Sequence, residues 1–165
     1  NGGNYVGPRI GNLKIKGPGF AGLYDTGGHQ FRVEHCLFDE WQNAIVLDQS
    51  EFVFIDLCTF SNGPTAIWLV NGETPGLGNT GAQGGYTNGI FVDRCTFNGM
   101  TGDVIVDDGG ELFSVKRSNI NTGDRLIRAA GRSVLVLEEN YIEGIRNDYV
   151  KLDYRAKGGR PVRSS

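Results

Sequence analysis

The amino-acid sequence predicts an all-β fold, a parallel β-solenoid of about six coils. Three observations lead to this prediction. A six-residue motif recurs along the chain, a short run of alternating apolar residues follows it at a constant distance, and the intervening residues are Gly, Asn, Asp and Ser, which favour tight turns. Helical periodicity is not strong anywhere in the chain, so helices are not expected to contribute to the core.

The recurring motif consists of an apolar residue, an acidic residue, any residue, cysteine, any residue and phenylalanine. Three copies are clear, two weaker copies follow them, and a still weaker copy comes first. The fourth residue of each copy serves as an anchor, and successive anchors are 18, 22, 37, 23 and 22 residues apart. The copies are 15–20, 33–38, 55–60, 92–97, 115–120 and 137–142, and their anchors are Pro18, Cys36, Cys58, Cys95, Ser118 and Asn140.

A second element keeps phase with the first. A pair of apolar residues separated by one other residue begins nine residues after each of four anchors, and ten residues after the last anchor. This alternation of period two predicts strands with one buried face. A period of about 22 residues with two or three short strands is typical of a parallel solenoid. Leucine-rich repeats require a leucine ladder that this chain lacks. The pairs are Ile45 with Leu47, Ile67 with Leu69, Val104 with Val106, Ile127 with Ala129, and Val150 with Leu152.

The period and the irregular turns resemble the right-handed, single-stranded parallel β-helix of pectate-lyase-like proteins. This superfamily includes polysaccharide lyases, polygalacturonases and bacteriophage tailspikes, and the chain most resembles a tailspike or tail-fibre module. The resemblance covers residues 10–153. We expect residues 1–9 to form an N-terminal loop or linker and residues 154–165 a basic tail or linker. Residues 71–88, which lengthen one coil, are expected to form a Gly-rich loop.

Composition argues against several classes of protein. A net charge of −3 and an isoelectric point near 5.4 disfavour nucleic-acid binding. No run of 18 apolar residues is present, so membrane insertion is not expected. The chain starts Asn-Gly-Gly, without Met, and we expect it to be a piece of a longer protein. Three cysteines without a C-x-x-C pair predict neither a disulfide framework nor a metal site, and no cofactor is expected.

Equivalent residues of successive coils are expected to stack about 4.8 Å apart. The three cysteines then form one inward column, beside a second column of phenylalanine and isoleucine. Buried reduced thiols suit a protein that folds in a reducing compartment, such as a phage protein assembled in bacterial cytoplasm. The open ends of so short a rod are expected to be covered by further coils, another domain or subunits. The second column is Phe38, Phe60, Phe97, Ile120 and Ile142.

An outward column of acidic residues holds the candidate catalytic groups, Glu34, Asp56 and Asp93. Carboxylates on adjacent coils repel, so at least one pKa is expected to rise. A close pair suits a retaining glycosidase and a wider pair an inverting one. The alternative is a solvated acidic face that basic neighbours partly neutralise. Those neighbours are Arg94, Lys116 and Arg117.

Aromatic residues near the inserted loop suggest a glycan groove. Trp68 precedes the loop, Tyr86 lies at its base, and Phe54 and Phe91 share an outward column. Sugars place their apolar faces on such rings, while carboxylates and arginines bind their hydroxyls. The polar candidates are Asp56, Asp93, Arg94, Asp107 and Asp108. The alternative is that the aromatic residues contact a neighbouring subunit or are covered by the loop.

Asp107-Asp108 also resembles the Asp-Asp pair of polygalacturonases. The other motifs of that family are missing here, however, and Asp-Asp-Gly is a common turn sequence.

The resulting hypothesis is a phage tailspike-like module that binds a bacterial surface or extracellular polysaccharide, with cleavage of that polysaccharide left open by the sequence. The resemblance implies a homotrimer in the virion tail. One alternative is a stand-alone secreted polysaccharide lyase, glycoside hydrolase or epimerase. Another is a structural spacer without a ligand. Fold alone does not separate these alternatives, because function resides in the site.

Overall fold

The computed structural model describes residues 7–70, 87–129 and 134–152, and in this part of the chain the regular elements are short parallel strands. Three strands form each of six coils. The first three coils are β1 (Arg9–Gly11), β2 (Lys14–Lys16), β3 (Ala21–Thr26); β4 (Arg32–Glu34), β5 (Leu37–Asp39), β6 (Asn43–Asp48); and β7 (Glu51–Asp56), β8 (Thr59–Ser61), β9 (Thr65–Val70). The last three are β10 (Asn88–Asp93), β11 (Thr96–Asn98), β12 (Ile105–Asp107); β13 (Leu112–Lys116), β14 (Asn119–Ile120), β15 (Ile127–Ala129); and β16 (Val134–Glu138), β17 (Tyr141–Ile142), β18 (Val150–Leu152).

The strands make three parallel sheets of six strands each. Sheet 1 contains the first strand of every coil, sheet 2 the second and sheet 3 the third, always in coil order. The predicted six-coil parallel β-solenoid is therefore confirmed. Among the described residues there is no helix with the length and apolar character that crossing a bilayer requires.

The core is built from stacked columns. Phe38, Phe60 and Phe97 pair in register, with ring centroids 5.4 Å and 5.0 Å apart, and Ile120 continues the column. These four side chains are at most 1% exposed. Parallel pairing in register places like residues over one another, so one motif position forms a continuous apolar column. The predicted column is confirmed.

The anchor column changes in character along the solenoid. Cys36, Cys58 and Cys95 are free and buried, as predicted. In the next coils the anchors are Ser118, whose Oγ accepts from the Cys95 amide, and Asn140, whose side chain accepts from the Ser118 amide. Hydroxyl and amide groups at these two positions thus satisfy backbone groups of the preceding coil.

The structure corrects the predicted register in the first and fourth coils. Lys14 pairs with Leu37 and Ile15 with Phe38, so the first copy is 10–15 and its anchor is Leu13, not Pro18. In the fourth coil the turn after Cys95 is one residue longer than in its neighbours. The core-facing residues are therefore Ile105 and Asp107, which pair with Ile67 and Leu69, and Val106 points outward in the Trp68 row.

The turn between sheets 1 and 2 has the same backbone conformation in every coil. The residue before the anchor has φ between 48° and 58°, in the left-handed region. This conformation bends the chain sharply from one sheet to the next. The side chain at this position therefore lies at the edge of sheet 1. In the fourth and fifth coils this side chain is an arginine. The six residues are Asn12, His35, Leu57, Arg94, Arg117 and Glu139.

The lengthened coil returns to register, as predicted. Asn88, the first residue of β10, pairs with Glu51, the first residue of β7. The chain therefore re-enters sheet 1 in register with the preceding coil. Thr87 and Asn88, which the sequence assigned to the loop, belong to the coil instead. Thr87 is buried and its Oγ1 donates to the carbonyls of Leu47 and Val70.

Candidate functional site

A shallow groove runs along the outward face of sheet 1, across the strands of four successive coils. Its volume is about 250 Å³. The outward rows of a parallel sheet are in register, so residues that are far apart in sequence meet there. The lining residues are Arg32, Phe54, Ile55, Asp56, Phe91, Val92, Asp93, Arg94, Ser114, Lys116 and Arg117.

Two phenylalanine rings form the floor of the groove. Phe54 and Phe91 are register partners on β7 and β10, and their rings stack with centroids 5.1 Å apart and planes at 17°. Phe54 is 37% exposed although it lies at the centre of a sheet. Arg32, the partner of Phe54 on β4, places its guanidinium carbon 5.2 Å from the centre of the Phe54 ring. The predicted pairing of Phe54 with Phe91 is therefore present.

The acidic row lies beside the aromatic row. Glu34 pairs with Asp56, Asp56 with Asp93, and Asp93 with Lys116, as the sequence predicted for this column. Arg94 bridges the two aspartates: it donates from Nε and Nη2 to Asp56 at 3.1 Å and 2.6 Å, and its Nε lies 3.5 Å from an Asp93 oxygen.

Arg117 binds Asp93 in the same two-bond manner, with Nε 2.8 Å from Oδ1 and Nη2 in contact with Oδ2. Every carboxylate oxygen of Asp56 and Asp93 therefore accepts from a guanidinium. Hydrogen bonds from Arg117 lower the pKa of Asp93 below its ordinary value. Stacked carboxylates alone would raise it. The arginines between the coils reverse that expectation for Asp93, and the alternative of a neutralised acidic face fits this part of the column.

Glu34, the third predicted catalytic carboxylate, does not line the groove. It is 8% exposed and pairs with Arg9 of the first coil. Its carboxylate is thus engaged one coil away from the floor of the groove.

Trp68 lies in a different sheet from the two phenylalanines. It stands on β9 in sheet 3, donates from Nε1 to Asp108 at 2.8 Å and meets Phe20 edge to face. The single groove of Trp68 with Phe54 and Phe91 is therefore not formed by the described residues. Asp108 belongs to this second cluster, where Arg128 lies 3.6 Å away. Tyr86 lies outside the described residues.

Asp107 is the buried last residue of β12, and its side chain caps the turn that follows. It is 1% exposed, and its Oδ1 accepts from the amides of Gly109 and Gly110. This is the capping role that Asp takes before glycine in tight turns. The structure therefore places the Asp107 carboxylate in a buried turn contact and away from the groove on sheet 1.

Arg32 and Ser114 line the groove and were not predicted as binding residues. Both belong to the Phe54–Phe91 row, Arg32 one coil before Phe54 and Ser114 one coil after Phe91. The signal was available, because each stands at the same offset from its anchor as the two phenylalanines. Lys116 and Arg117 entered the prediction only as neutralising charges.

The groove combines an apolar floor with hydrogen-bonding rims, which is the composition of a site for a polar ligand with an apolar face. Within residues 7–70, 87–129 and 134–152, no group of three or more His, Cys, Asp and Glu side chains is arranged to hold a metal ion. The chemistry that the groove offers is stacking, charge and hydrogen bonding.

Comparison with known proteins gives one match. The family model for the right handed beta helix region matches residues 2–158, nearly the whole chain. No curated protein and no solved structure matches the chain. This family is defined by a right-handed helix of β-strands, which agrees with the three-strand coils of the structure. The chain belongs to the right handed beta helix region family.

Proposed function

We propose that this chain is a polysaccharide-binding β-helix module, and that the groove on sheet 1 holds a stretch of glycan. The observation that carries the proposal is the stacked pair of exposed Phe54 and half-buried Phe91 at the centre of a sheet, flanked by charged side chains. Exposed apolar patches rimmed by polar groups mark ligand or protein interfaces. The fold is compatible with proteins that bind or act on polysaccharides.

The geometry suits a sugar polymer better than a compact ligand. Arg32 lies over the Phe54 ring and Phe54 stacks on Phe91, so the three side chains form a ladder along the solenoid whose apolar side lies beside the charged rim. A pyranose ring has an apolar face that can pack on such a ladder, and hydroxyls at its edge that need hydrogen-bonding partners. A volume of about 250 Å³ is slightly smaller than that of most enclosed ligand pockets. An open groove across four coils lets a chain enter and leave at both ends. The groove therefore fits one segment of a longer polymer.

Binding is favoured over cleavage. A general acid needs a proton near neutral pH, and enzymes raise carboxyl pKa values to provide it. Here Arg117 lowers the pKa of Asp93. Both oxygens of Asp56 accept hydrogen bonds from Arg94, so each of the two carboxylates is engaged with an arginine and neither stands free as the acid of a hydrolytic pair.

The context that we propose is a bacteriophage tailspike or tail-fibre protein, assembled as a homotrimer and recognising a bacterial surface glycan. Three buried free thiols support folding in a reducing compartment. A stand-alone secreted enzyme and a spacer without a ligand are the two competing proposals. A spacer predicts that Phe54 and Phe91 are covered by another subunit, which would abolish glycan binding by the assembled protein.

A binding assay on an array of bacterial polysaccharides tests the proposal. The purified chain, Phe54→Ala and Phe91→Ala are compared with Tyr141→Ala, which removes an aromatic side chain that is 60% exposed in sheet 2. Loss of one stacking ring is expected to weaken binding about tenfold, and Tyr141→Ala to leave it unchanged. Equal binding by all four proteins, or binding by none, would overturn the assignment of the groove.

Glycoside hydrolysis is the second candidate, because Asp56 and Asp93 are register neighbours beside the platform. Incubation with the bound polysaccharide, followed by measurement of reducing ends and of absorbance from unsaturated uronates, tests it. New reducing ends that disappear in Asp56→Asn and Asp93→Asn would establish hydrolysis. Unsaturated products would indicate lyase chemistry, and intact polymer would leave binding as the activity.

A further inference from the structure

We infer that the two ends of the solenoid bind each other, so that copies of the chain stack head to tail into an open rod. The partner is a second copy of this chain. The inference comes from the side chains and strand edges that the first and last coils leave uncovered, and it does not depend on the proposed glycan site.

Both ends of the solenoid leave strand edges and part of the core uncovered. In the part of the chain that the structure describes, β1, β2 and β3 form one edge of the three sheets, and β16, β17 and β18 form the other. Edge strands carry unpaired N–H and C=O groups, which can pair with a further strand. The end coils therefore offer the same backbone groups that join one coil to the next.

Three core rows have apolar side chains at both of their ends. The four interior residues of each row are at most 1% exposed, whereas the first and last residues are only partly buried. A second copy that continues the register would place each first-coil residue over its last-coil counterpart, which removes this apolar surface from water. The counterparts are Ile10 with Leu137, Ile15 with Ile142, and Leu23 with Val150.

The two ends carry opposite charge. The first coil, residues 9–26, has three basic side chains and one acidic side chain, and the last coil, residues 134–152, has four acidic and two basic side chains. Two first coils, or two last coils, would therefore repel each other, whereas a first coil and a last coil attract. This charge pattern favours head-to-tail contact over head-to-head contact.

Continued register also forms an ion pair on sheet 2. Lys16 directly follows Ile15, and Glu143 directly follows Ile142, so the lysine and the glutamate belong to neighbouring positions of one outward row. The Glu143 amide donates to the carbonyl of Ile120, which shows that the coil-to-coil pairing continues through this residue. In a head-to-tail stack, Lys16 of one copy therefore lies beside Glu143 of the next.

Sheet 3 adds a contact between a cation and an aromatic ring. Tyr24 stands at the first position of the outward row that ends with Lys151, and both side chains are exposed. An ammonium group near the face of a tyrosine ring is attracted to it. Apolar, ionic and aromatic contacts thus all arise from the same continuation of the register.

The contact extends without closing into a ring. Each joint repeats the step from one coil to the next, so every added copy lengthens the rod by six coils, about 29 Å. Head-to-tail contacts that do not close produce open stacks.

Sedimentation velocity over a range of protein concentrations tests the inference on the purified full chain, and electron microscopy measures the length of the rods. Wild type is expected to associate more as the concentration rises, with rod lengths that increase by one copy at a time. Lys16→Glu and Glu143→Lys each place like charges at the joint and are expected to weaken association at least tenfold. Both side chains are more than half exposed or lie at the solvent edge of sheet 2, so the fold is expected to tolerate either change.

A mixture of the two variants distinguishes head-to-tail contact from other kinds of association. In the mixture, one kind of joint has neither substitution and the other kind combines both, so opposite charges meet at each. Association is therefore expected to return to nearly the strength of wild type. Glu111→Lys makes the same charge change at an exposed residue of the fifth coil and serves as the matched control, which should associate as wild type does.

A chain that stays monomeric at every concentration would overturn the inference. A closed oligomer that neither end variant weakens would also overturn it, because such an oligomer forms through the sides of the solenoid. Failure of the mixture to recover association would show that the two residues do not meet at one joint. The polysaccharide array, applied to the same samples, tests the proposed function separately, since glycan binding by a monomer would leave that proposal intact.

Discussion

Arg94 and Asp56 are joined across two coils by two hydrogen bonds, from Nε at 3.1 Å and from Nη2 at 2.6 Å. Arg117 stands in the same relation to Asp93, one coil further along. In both pairs the arginine occupies the turn position with positive φ and reaches back to the aspartate of the preceding coil. The repeat therefore produces a rim of braced carboxylates along one side of the aromatic floor.

The Arg94–Asp56 pair is expected to contribute about 1 kcal/mol to the free energy of unfolding, because the arginine is half exposed but the geometry is bidentate. A double-mutant cycle with Asp56→Asn and Arg94→Gln, measured by urea unfolding, gives the coupling energy. It should fall in 1 M salt, which screens exposed charges. A coupling that does not depend on salt would contradict an ionic contribution.

Asp93 is expected to make stability depend on acid pH. Because Arg117 lowers its folded pKa, the Asp93–Arg117 pair stabilises the protein fully above the unfolded value of about 3.9. That stability is lost as the pH falls through the folded pKa. Unfolding free energies measured from pH 7 to pH 2 should differ between wild type and Asp93→Asn at neutral pH and converge in acid. A constant difference would contradict the linkage.

Asp48 is expected to have the opposite effect on the pH dependence of stability, destabilising the protein as the pH rises. It is fully buried, Oδ1 has no hydrogen-bond partner among the described residues, and burial raises its pKa. A raised pKa means that ionisation opposes folding, so stability decreases as the pH rises through the folded value. Asp48→Asn should therefore be more stable than wild type at pH 7, and this difference should disappear at pH 3. A less stable variant at pH 7 would show that the charge is favourable.

Phe60 is the centre of the core column, between Phe38 at 5.4 Å and Phe97 at 5.0 Å. Phe60→Ala removes both stacking contacts and leaves a cavity, and it should cost about 3–5 kcal/mol of unfolding free energy. Phe20→Ala truncates a ring that is 45% exposed and should cost less than about 1 kcal/mol. Similar losses for both variants in chemical denaturation would contradict this assignment of the core.

Leu57 is a branched residue in a left-handed conformation, with φ 53°. The first coil has Asn12 at the equivalent position, and Asn tolerates this conformation better than Leu does. Leu57→Asn is expected to stabilise the protein by about 0.5–1 kcal/mol. Leu13→Asn makes the same exchange at a half-exposed residue whose φ is not positive. This variant should not stabilise the protein. Equal effects on the melting temperature would exclude a backbone origin.

Sequence reasoning reached the fold because a solenoid repeats one local pattern. The motif around Cys58 and Cys95 is clear in three coils and recognisable in weaker form in the others, and parallel pairing places each copy directly over the one before it. Errors arose where the pattern was weakest. The first coil has Leu13 where the next three coils have cysteine, and one extra turn residue placed Ile105, not Val104, in register with Ile67.

The same reasoning reached only part of the groove. Register alone placed Phe54 against Phe91 and Asp56 against Asp93, because residues at one offset must stack. It did not show that Trp68 faces another side of the solenoid, since that depends on which of three sheets a strand joins.

The sequence by itself therefore determined the repeat, the strands and the order of residues within each column. Only the tertiary structure decided which columns share a face and which charges are paired. Arg94 and Arg117 bind the carboxylates of the preceding coil because a turn with positive φ directs them there, and Arg32 remains over Phe54 without an ion-pair partner in the described residues. Side-chain direction and pairing across coils depend on three-dimensional packing, which local periodicity does not specify.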